Sequence, residues 1–317
     1  MGHRLILVLM LFSYVVNAGQ ANAPAQPAKG PGGKEYRHAV VIKNRYENGV
    51  KEYWIYEPDH PKPSSAPIIV FLHGWSAMNP ATYGAWIDHL VKRGNIVIYP
   101  RYQADLKTPL KDFTANTIEA IHSAINRLQK EPDHVRPDLS KFAVEGHSVG
   151  GLLTANVTAL AKENGLPQVG AMMSVEPGRT WNFGTRGNVP LADLSKIPSQ
   201  TLLLAVIGDK DRIARDTDAK RIYYESTNVS AENKDFITLV SDNHGTPPLI
   251  AHHGTPSTFA VNALDFYGTW KLFDGLCDAA FYGMNREYAL GNTSEQRNMG
   301  NWSDGVPVNK LAVTDHP

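Results

Sequence analysis

The sequence predicts an α/β fold, a mostly parallel eight-stranded sheet with helices on both faces. From residue 36 onward, strand-like and helix-like patterns alternate, which is typical of parallel strands joined by crossover helices. The central strands are unbroken apolar runs, such as IIVFL at 68–72 and LLLAVI at 202–207, as expected where both faces are covered. The predicted strands are 37–43, 52–57, 68–72, 95–99, 141–145, 169–175, 202–207 and 235–240.

The first two predicted strands are separated by a stretch that contains Asn48-Gly49, a dipeptide typical of tight hairpins. We therefore expect these two strands to run antiparallel. The predicted helices are 83–92, 112–130, 149–163, 214–226 and 257–281. The tail, 283–317, is rich in Asn and Gly, but Trp302 indicates that it folds back onto the rest. Residues 35–317 are therefore expected to form a single domain.

The N-terminus resembles a signal peptide. His3 and Arg4 precede an apolar run, and A-x-A-like sites follow at 16–18 and 21–23. The run is short for a membrane span, so we expect cleavage after Ala18 and a secreted or periplasmic protein without stable membrane insertion. A retained membrane anchor is the alternative. Residues 19–34, rich in Pro, Gly and Ala, are predicted to be a disordered linker.

The charge balance argues against a nucleic-acid partner. Lys plus Arg and Asp plus Glu both number 31, so no basic surplus exists for nucleic acid or an anionic membrane surface. Cys277 is the single cysteine, which excludes an intramolecular disulfide. It falls in an apolar helix pattern and is expected to be a small buried side chain. The oligomeric state is not readable from the sequence.

Gly146-His147-Ser148-Val149-Gly150 matches the pattern G-x-S-x-G. It follows a predicted strand and opens a predicted helix, the context in which such a serine projects from a sharp turn as a nucleophile. The flanking glycines allow close backbone approach there. A plain N-cap serine is the alternative.

With this motif, the sequence resembles the α/β-hydrolase superfamily over about residues 36 to 282. The resemblance is to secreted serine esterases and lipases, in the style of cutinase-like, chlorophyllase-like and dienelactone-hydrolase-like enzymes. It implies a catalytic order of Ser, then Asp or Glu, then His.

Two aspartates, Asp209 and Asp211, follow the strand at 202–207 and could both orient a histidine. The resemblance favours Asp211, and Asp209 stays the alternative. The same stretch lacks the spacing of a calcium-binding loop, so no metal is expected. The base expected from the resemblance is His244, after the strand at 235–240. The rivals are His252 and His253, which lie past Pro247-Pro248 and fit that loop less well.

The resemblance also implies an oxyanion hole. Its donors would be the backbone N–H groups of Trp75, in the His73-Gly74-Trp75 loop, and of Val149. Such an H-G-W loop favours esters of unhindered alcohols. Trp181 falls where the fold places pocket residues. Glu176, in the same loop, is expected to form a structural ion pair, with a catalytic role as the alternative. The short excursion that follows predicts little or no lid.

We therefore expect a serine hydrolase that cleaves carboxylic esters, of small-molecule or of lipid or polymer type, through Ser148, Asp211 and His244 and without a cofactor. The acyl-chain length stays open. An amidase or peptidase with the same residues is the first alternative. A non-catalytic binding protein on a hydrolase scaffold is the second.

Overall fold

The computed structural model describes residues 21–178 and 189–317. The strands of this part are Val40–Tyr46 (β1), Tyr53–Asp59 (β2), Ser65–Leu72 (β3), Ile96–Pro100 (β4), Arg136–His147 (β5), Val169–Val175 (β6), Leu202–Gly208 (β7), Lys234–Leu239 (β8) and Ala312–Thr314 (β9). They form one sheet in the order β1-β2-β4-β3-β5-β6-β7-β8-β9. Strands β3 to β8 pair in parallel, whereas β1, β2 and β9 each pair antiparallel with their neighbours.

The sheet confirms the predicted fold class. The Asn48-Gly49 hairpin joins β1 to β2, and all eight predicted strands are present. The ninth strand, β9, was not predicted, because three residues in a tail without alternation carry no periodic signal. It closes the edge of β8 and so leaves fewer unpaired backbone groups at that side of the sheet.

Five helices of the described residues match the predicted helices with shifted ends, and a sixth, Ser294–Arg297, was not predicted. They are Gly84–Lys92 (α1), Phe113–Lys130 (α2), Val149–Leu160 (α3), Thr217–Glu225 (α4), Trp270–Tyr282 (α5) and Ser294–Arg297 (α6). The predicted helix at 257–281 is an α-helix only from Trp270 onward. A 3₁₀ turn at Thr258–Ala260 and a π-type turn at Leu264–Thr269 precede it.

Helices cover both faces of the sheet, and alternate strand residues enter two separate cores. Ile68 and Val70 face α2, α3 and α4, whereas Ile69 and Phe71 face α1 and α5. Because each such strand is buried on both faces, its sequence is a continuous apolar run. Each fully buried Ile, Leu or Phe contributes about 1.5–3 kcal/mol of transfer free energy. This layered core fixes the loops at the carboxyl ends of β3, β5, β6 and β7.

Residues 21–34 are not a free linker, in contrast to the prediction. The Ala21 carbonyl accepts a hydrogen bond from the Thr246 N–H at 3.0 Å, and the Gly32 N–H donates to Asp274 Oδ2 at 2.7 Å. A Cβ at Gly32 would lie 2.0 Å from the Phe266 carbonyl oxygen, so only glycine allows this approach. The Pro, Gly and Ala composition therefore reflects close packing of the segment, which composition alone does not reveal.

The C-terminal tail packs back onto the sheet, as Trp302 predicted. This side chain is buried, and its Nε1–H donates to Asp242 Oδ2 at 3.2 Å. Cys277 is buried in α5. The described residues include no helix with the length and apolar character needed to cross a membrane. The predicted signal peptide, 1–18, lies outside the described residues.

Candidate active site

Ser148 stands between the end of β5 and the start of α3, in a strained backbone conformation. Its φ of 58° and ψ of −121° are rare for a residue with a side chain. The turn is tight. A Cβ at Gly146 would lie 2.4 Å from the Gly150 carbonyl oxygen, and one at Gly150 would lie 2.0 Å from that of Leu72. The two glycines of the motif therefore make the turn possible, and the serine is not a plain helix cap.

The histidine that meets Ser148 is His253. Its Nε2 lies 3.0 Å from Ser148 Oγ, and its Nδ1 lies 2.8 Å from Asp211 Oδ2. The loop after β7 carries Asp211, which the sequence favoured over Asp209. A chain of hydrogen bonds thus runs from a carboxylate through an imidazole to a hydroxyl, the arrangement in which a serine becomes a nucleophile.

Asp211 is held in its ionised form. Burial opposes its ionisation, but the hydrogen bond from His253 and those from the Ile213 and Ala214 N–H groups outweigh it and lower the pKa of the carboxyl. These two backbone N–H groups donate to Oδ1 at 2.7 Å and 3.1 Å, which leaves Oδ2 for the imidazole. Asp209 has another task, because its Oδ1 accepts hydrogen bonds from the N–H and hydroxyl of Ser241, after β8.

The prediction that His244 is the partner of Ser148 is wrong for this structure. His244 Nε2 lies 2.7 Å from Asp304 Oδ2 in the C-terminal tail, and its side chain is 38% exposed. It lies in the loop 243–248. Two backbone hydrogen bonds between Asp242 and Leu249, of 2.7 Å and 2.8 Å, hold the ends of this loop together.

The same pairing returns the chain to the site. Beyond Leu249, the Lys210 N–H donates to the Ala251 carbonyl at 2.9 Å, which sets the following residues beside the β7 loop. His253 then reaches Ser148. His252 points elsewhere, is exposed, and accepts a hydrogen bond from the Gly254 N–H.

The loop after β3 lies against the nucleophile. A Cβ placed at Gly74 would lie 3.4 Å from Ser148 Cβ. Trp75 follows it and is partly buried, and Val149 is the first residue of α3, directly after Ser148. His73 is fully buried beneath the loop, with its ring nitrogens 2.6 Å and 2.9 Å from the carbonyl oxygens of Gly74 and Arg101. Burial lowers the pKa of His73 to about 4, so it shapes the loop as a neutral ring.

A second buried group adjoins His253, and the sequence did not indicate it. His147, the variable residue of the G-x-S-x-G motif, has its ring centroid 4.7 Å from that of His253. Its Nδ1 lies 2.9 Å from the Tyr83 hydroxyl, which also accepts the Gly74 N–H at 3.0 Å. Burial, reinforced by the charge of His253, lowers the pKa of His147 to about 3.

Glu176 completes this second group. It is fully buried after β6, with Oε2 3.3 Å from His147 Nε2 and 3.7 Å from His253 Nδ1. Burial and the charge of Asp211 raise its pKa well above that of an ordinary carboxyl. The sequence predicted a structural ion pair for Glu176. Among the described residues, its carboxyl lies beside two imidazoles and not beside a Lys or Arg. Trp181, the predicted pocket residue, lies outside the described residues.

Comparison with known proteins supports this architecture. A solved structure from a study of two fungal esterases of Rhizomucor miehei matches with a TM-score of 0.59 and 16% identity, over 79% of this chain and 87% of that one. The chain has the α/β-hydrolase fold. The resemblance expected from the nucleophile motif is thus confirmed at the level of the fold.

The chain also matches the family model described as Chlorophyllase over residues 33–190. Chlorophyllase-2 of Arabidopsis thaliana is 34% identical over 100 residues, a stretch that covers 30% of this chain and 30% of that relative. The family match includes the β3 loop, Ser148 and Glu176, and it ends before Asp211 and His253. These two positions thus rest on the geometry alone.

Proposed function

We propose that this α/β-hydrolase is a serine hydrolase of carboxylic esters, with Ser148 as nucleophile, His253 as base and Asp211 as the acid that orients the base. One observation carries the proposal: His253 lies within hydrogen-bond distance of both partners, 3.0 Å from Ser148 Oγ and 2.8 Å from Asp211 Oδ2. The strained turn at Ser148 and the similarity to esterases and chlorophyllases support it.

In the acylation step, Ser148 Oγ forms a bond to the ester carbonyl carbon while its proton passes to His253 Nε2. Asp211 accepts the hydrogen bond from Nδ1–H and stabilises the imidazolium. When the tetrahedral intermediate collapses, the bond to the alcohol oxygen breaks, and His253 returns the proton to that oxygen. Water then attacks the acyl carbonyl carbon while His253 Nε2 accepts its proton. The bond from that carbon to Ser148 Oγ breaks, and His253 returns the proton to Oγ.

The negative charge on the carbonyl oxygen needs donors during both steps. We assign the backbone N–H groups of Trp75 and Val149 to this task. Val149 directly follows the nucleophile, and Gly74 sets the Trp75 loop beside Ser148. Removal of one such donor typically costs about 10²–10³ in kcat.

The proposed substrates are carboxylic esters of small-molecule, lipid or polymer type. The partial similarity to Chlorophyllase-2 favours an ester over an amide as the scissile bond, since the family match includes the nucleophile and the β3 loop. The apolar run at 5–16, outside the described residues, supports export of the protein through a signal peptide.

The test is hydrolysis of p-nitrophenyl esters of increasing acyl length by the wild type and by Ser148→Ala. We expect the wild type to cleave the esters and Ser148→Ala to lose activity by about 10⁴-fold or more, because among the described residues Ser148 supplies the hydroxyl that reaches His253. Ser199→Ala, an exposed serine on another loop, is the matched control. A matched p-nitroanilide tests the amidase alternative. Equal rates for wild type and Ser148→Ala would reject the proposal.

A further inference from the structure

Three buried polar atoms beside His253 have no hydrogen-bond partner. They are His147 Nε2 and the two carboxyl oxygens of Glu176. Such atoms cost free energy when they are left unpaired in a protein interior. His147, Glu176 and His253 each offer one ligand atom, and these three atoms lie within 4.8 Å of one another. They are the one group of three possible metal ligands found among residues 21–178 and 189–317.

The spacing of these atoms suits a small cation. Zinc bonds to imidazole nitrogen and carboxylate oxygen are about 2.0–2.1 Å, so neighbouring ligand atoms in a tetrahedral site lie roughly 3.4 Å apart. Glu176 Oε2 lies 3.3 Å from His147 Nε2 and 3.7 Å from His253 Nδ1. Asp211 Oδ2 lies 2.8 Å from that same Nδ1, which is shorter than this spacing, so its carboxylate has to shift outward to supply a fourth ligand.

We infer that His147, Glu176 and His253 form a site for one divalent transition-metal ion, Zn²⁺ or Cu²⁺, and that the bound ion inhibits the enzyme. Two imidazoles and a carboxylate are donors that suit these ions, whereas Mg²⁺ and Ca²⁺ require oxygen ligands. The Tyr83 hydroxyl offers His147 a hydrogen-bond partner on its other ring nitrogen, Nδ1. If His147 donates its Nδ1–H to the Tyr83 hydroxyl, the ring keeps the lone pair of Nε2 for the metal.

Inhibition follows from the position of the His253 proton. In the metal-free enzyme Nδ1 holds the proton and Nε2 is free to accept one from Ser148. A metal ion on Nδ1 moves that proton to Nε2, and the carboxyl of Glu176 releases its own proton to solvent. The Nε2–H then donates toward Ser148 Oγ and has no lone pair to accept its proton, so the nucleophile loses its base.

The direct test uses metal-stripped Ser148→Ala and Co²⁺, whose visible absorption reports tetrahedral coordination by nitrogen and oxygen. We expect one Co²⁺ per chain, displaced by Zn²⁺. Adding Glu176→Gln or His147→Gln to this background removes one ligand and should weaken apparent affinity at least about tenfold, since even the loss of an outer-sphere partner costs about 10–100-fold. Absence of a tetrahedral spectrum, or equal affinity in Ser148→Ala with and without Glu176→Gln, would overturn the site.

The second test rests on the proposed function, since it measures ester cleavage. We expect Zn²⁺ and Cu²⁺ to inhibit the wild type and Mg²⁺ and Ca²⁺ not to do so. Glu176→Gln should raise the half-inhibitory Zn²⁺ concentration at least about tenfold relative to its own metal-free rate. His244→Gln, an exposed histidine outside the cluster, should leave it unchanged. Equal inhibition of the wild type and Glu176→Gln would overturn the proposal. Tetrahedral Co²⁺ binding without esterase activity would keep the site and reject the function.

Discussion

At the residue scale, two neighbouring aspartates, Asp209 and Asp211, make different contacts in the site. Asp211 accepts two backbone N–H groups on one oxygen and His253 on the other, so it is fixed and ionised. Asp209 holds Ser241 instead. A carboxylate fixed in this manner selects the tautomer of His253 in which Nδ1 holds the proton, and that tautomer is the one able to accept a proton from Ser148.

Asp211→Asn should lower kcat/KM by about 10⁴-fold with little change in the fold, because the amide can donate to Nδ1 and so favours the wrong tautomer. The measurement is ester hydrolysis at saturating and limiting substrate. Asp209→Asn is the matched control, with an expected loss of less than about tenfold. If the two variants lose activity equally, Asp211 is not the orienting acid.

The aspartate loop also defines a pH window for stability. Because the folded pKa of Asp211 lies below its ordinary value, its ionised form stabilises the folded state above the ordinary carboxyl range. This contribution is lost as the pH falls through the folded pKa. The decrease in the free energy of unfolding at acidic pH therefore depends in part on the hydrogen bonds that Asp211 accepts in the site.

At the element scale, Tyr83 joins two loops that must keep register. It ends the 3₁₀ turn before α1, and its hydroxyl contacts the Gly74 N–H after β3 and His147 Nδ1 at the end of β5. The loop that we assign to the oxyanion and the turn that carries the nucleophile are thus bridged by one buried oxygen. Tyr83 is a positioning residue in this account, since it acts through Gly74 and His147.

Tyr83→Phe should lower kcat about tenfold and change KM less, because the oxyanion loop loses its tie to the nucleophile turn. It should also cost about 1–3 kcal/mol of unfolding free energy, since a buried N–H is left unpaired. Tyr53→Phe removes another buried hydroxyl, one that accepts from Arg127, and serves as control. A similar loss of kcat in both variants would indicate general destabilisation and contradict the positioning role.

The strands and the nucleophile turn could be predicted because their signals are local. An apolar run identifies β3 or β7, and Gly146 and Gly150 mark the turn around Ser148. His253 could not be singled out, because its place depends on backbone pairing between Asp242 and Leu249. Distance along the chain favoured His244, and only the fold reveals which histidine returns to the site.

At the scale of the whole molecule, the two terminal segments pack against each other and against the sheet. The Ser303 N–H donates to the Asn22 carbonyl at 3.0 Å, and the Tyr267 hydroxyl donates to the Ala25 carbonyl at 3.2 Å. Such contacts join residues more than two hundred positions apart, and local composition does not reveal them. For this reason the composition predicted a linker, whereas residues 21–34 are packed against the rest of the protein. The tail in turn holds His244 through a contact between its Nε2 and Asp304 Oδ2.

The centre of the sheet contains an unusual buried acid, Glu145 on β5. Both of its carboxyl oxygens are buried without a hydrogen-bond partner among the described residues. Burial, together with the charge of Asp274, raises its pKa well above the ordinary value. Its protonated form therefore stabilises the folded state at low pH, and this contribution is lost as the pH rises through the folded pKa.

Glu145→Gln should become more stable relative to the wild type as the pH rises from about 4, the pKa range of an unfolded glutamate, because the amide never ionises. The measurement is the free energy of unfolding in denaturant at acidic and mildly alkaline pH. Glu287→Gln, at an exposed position, should show no such trend. A stability difference between Glu145→Gln and the wild type that stays constant with pH would contradict the assignment.

The central claim, that His253 is the base for Ser148, is tested most directly by comparing two histidine variants. The measurement is kcat/KM for p-nitrophenyl butyrate with His253→Gln and His244→Gln. We predict a loss of at least about 10⁴-fold for His253→Gln, because Ser148 loses its proton acceptor, and a change within about twofold for His244→Gln. Full loss in His244→Gln with activity retained in His253→Gln would contradict the account.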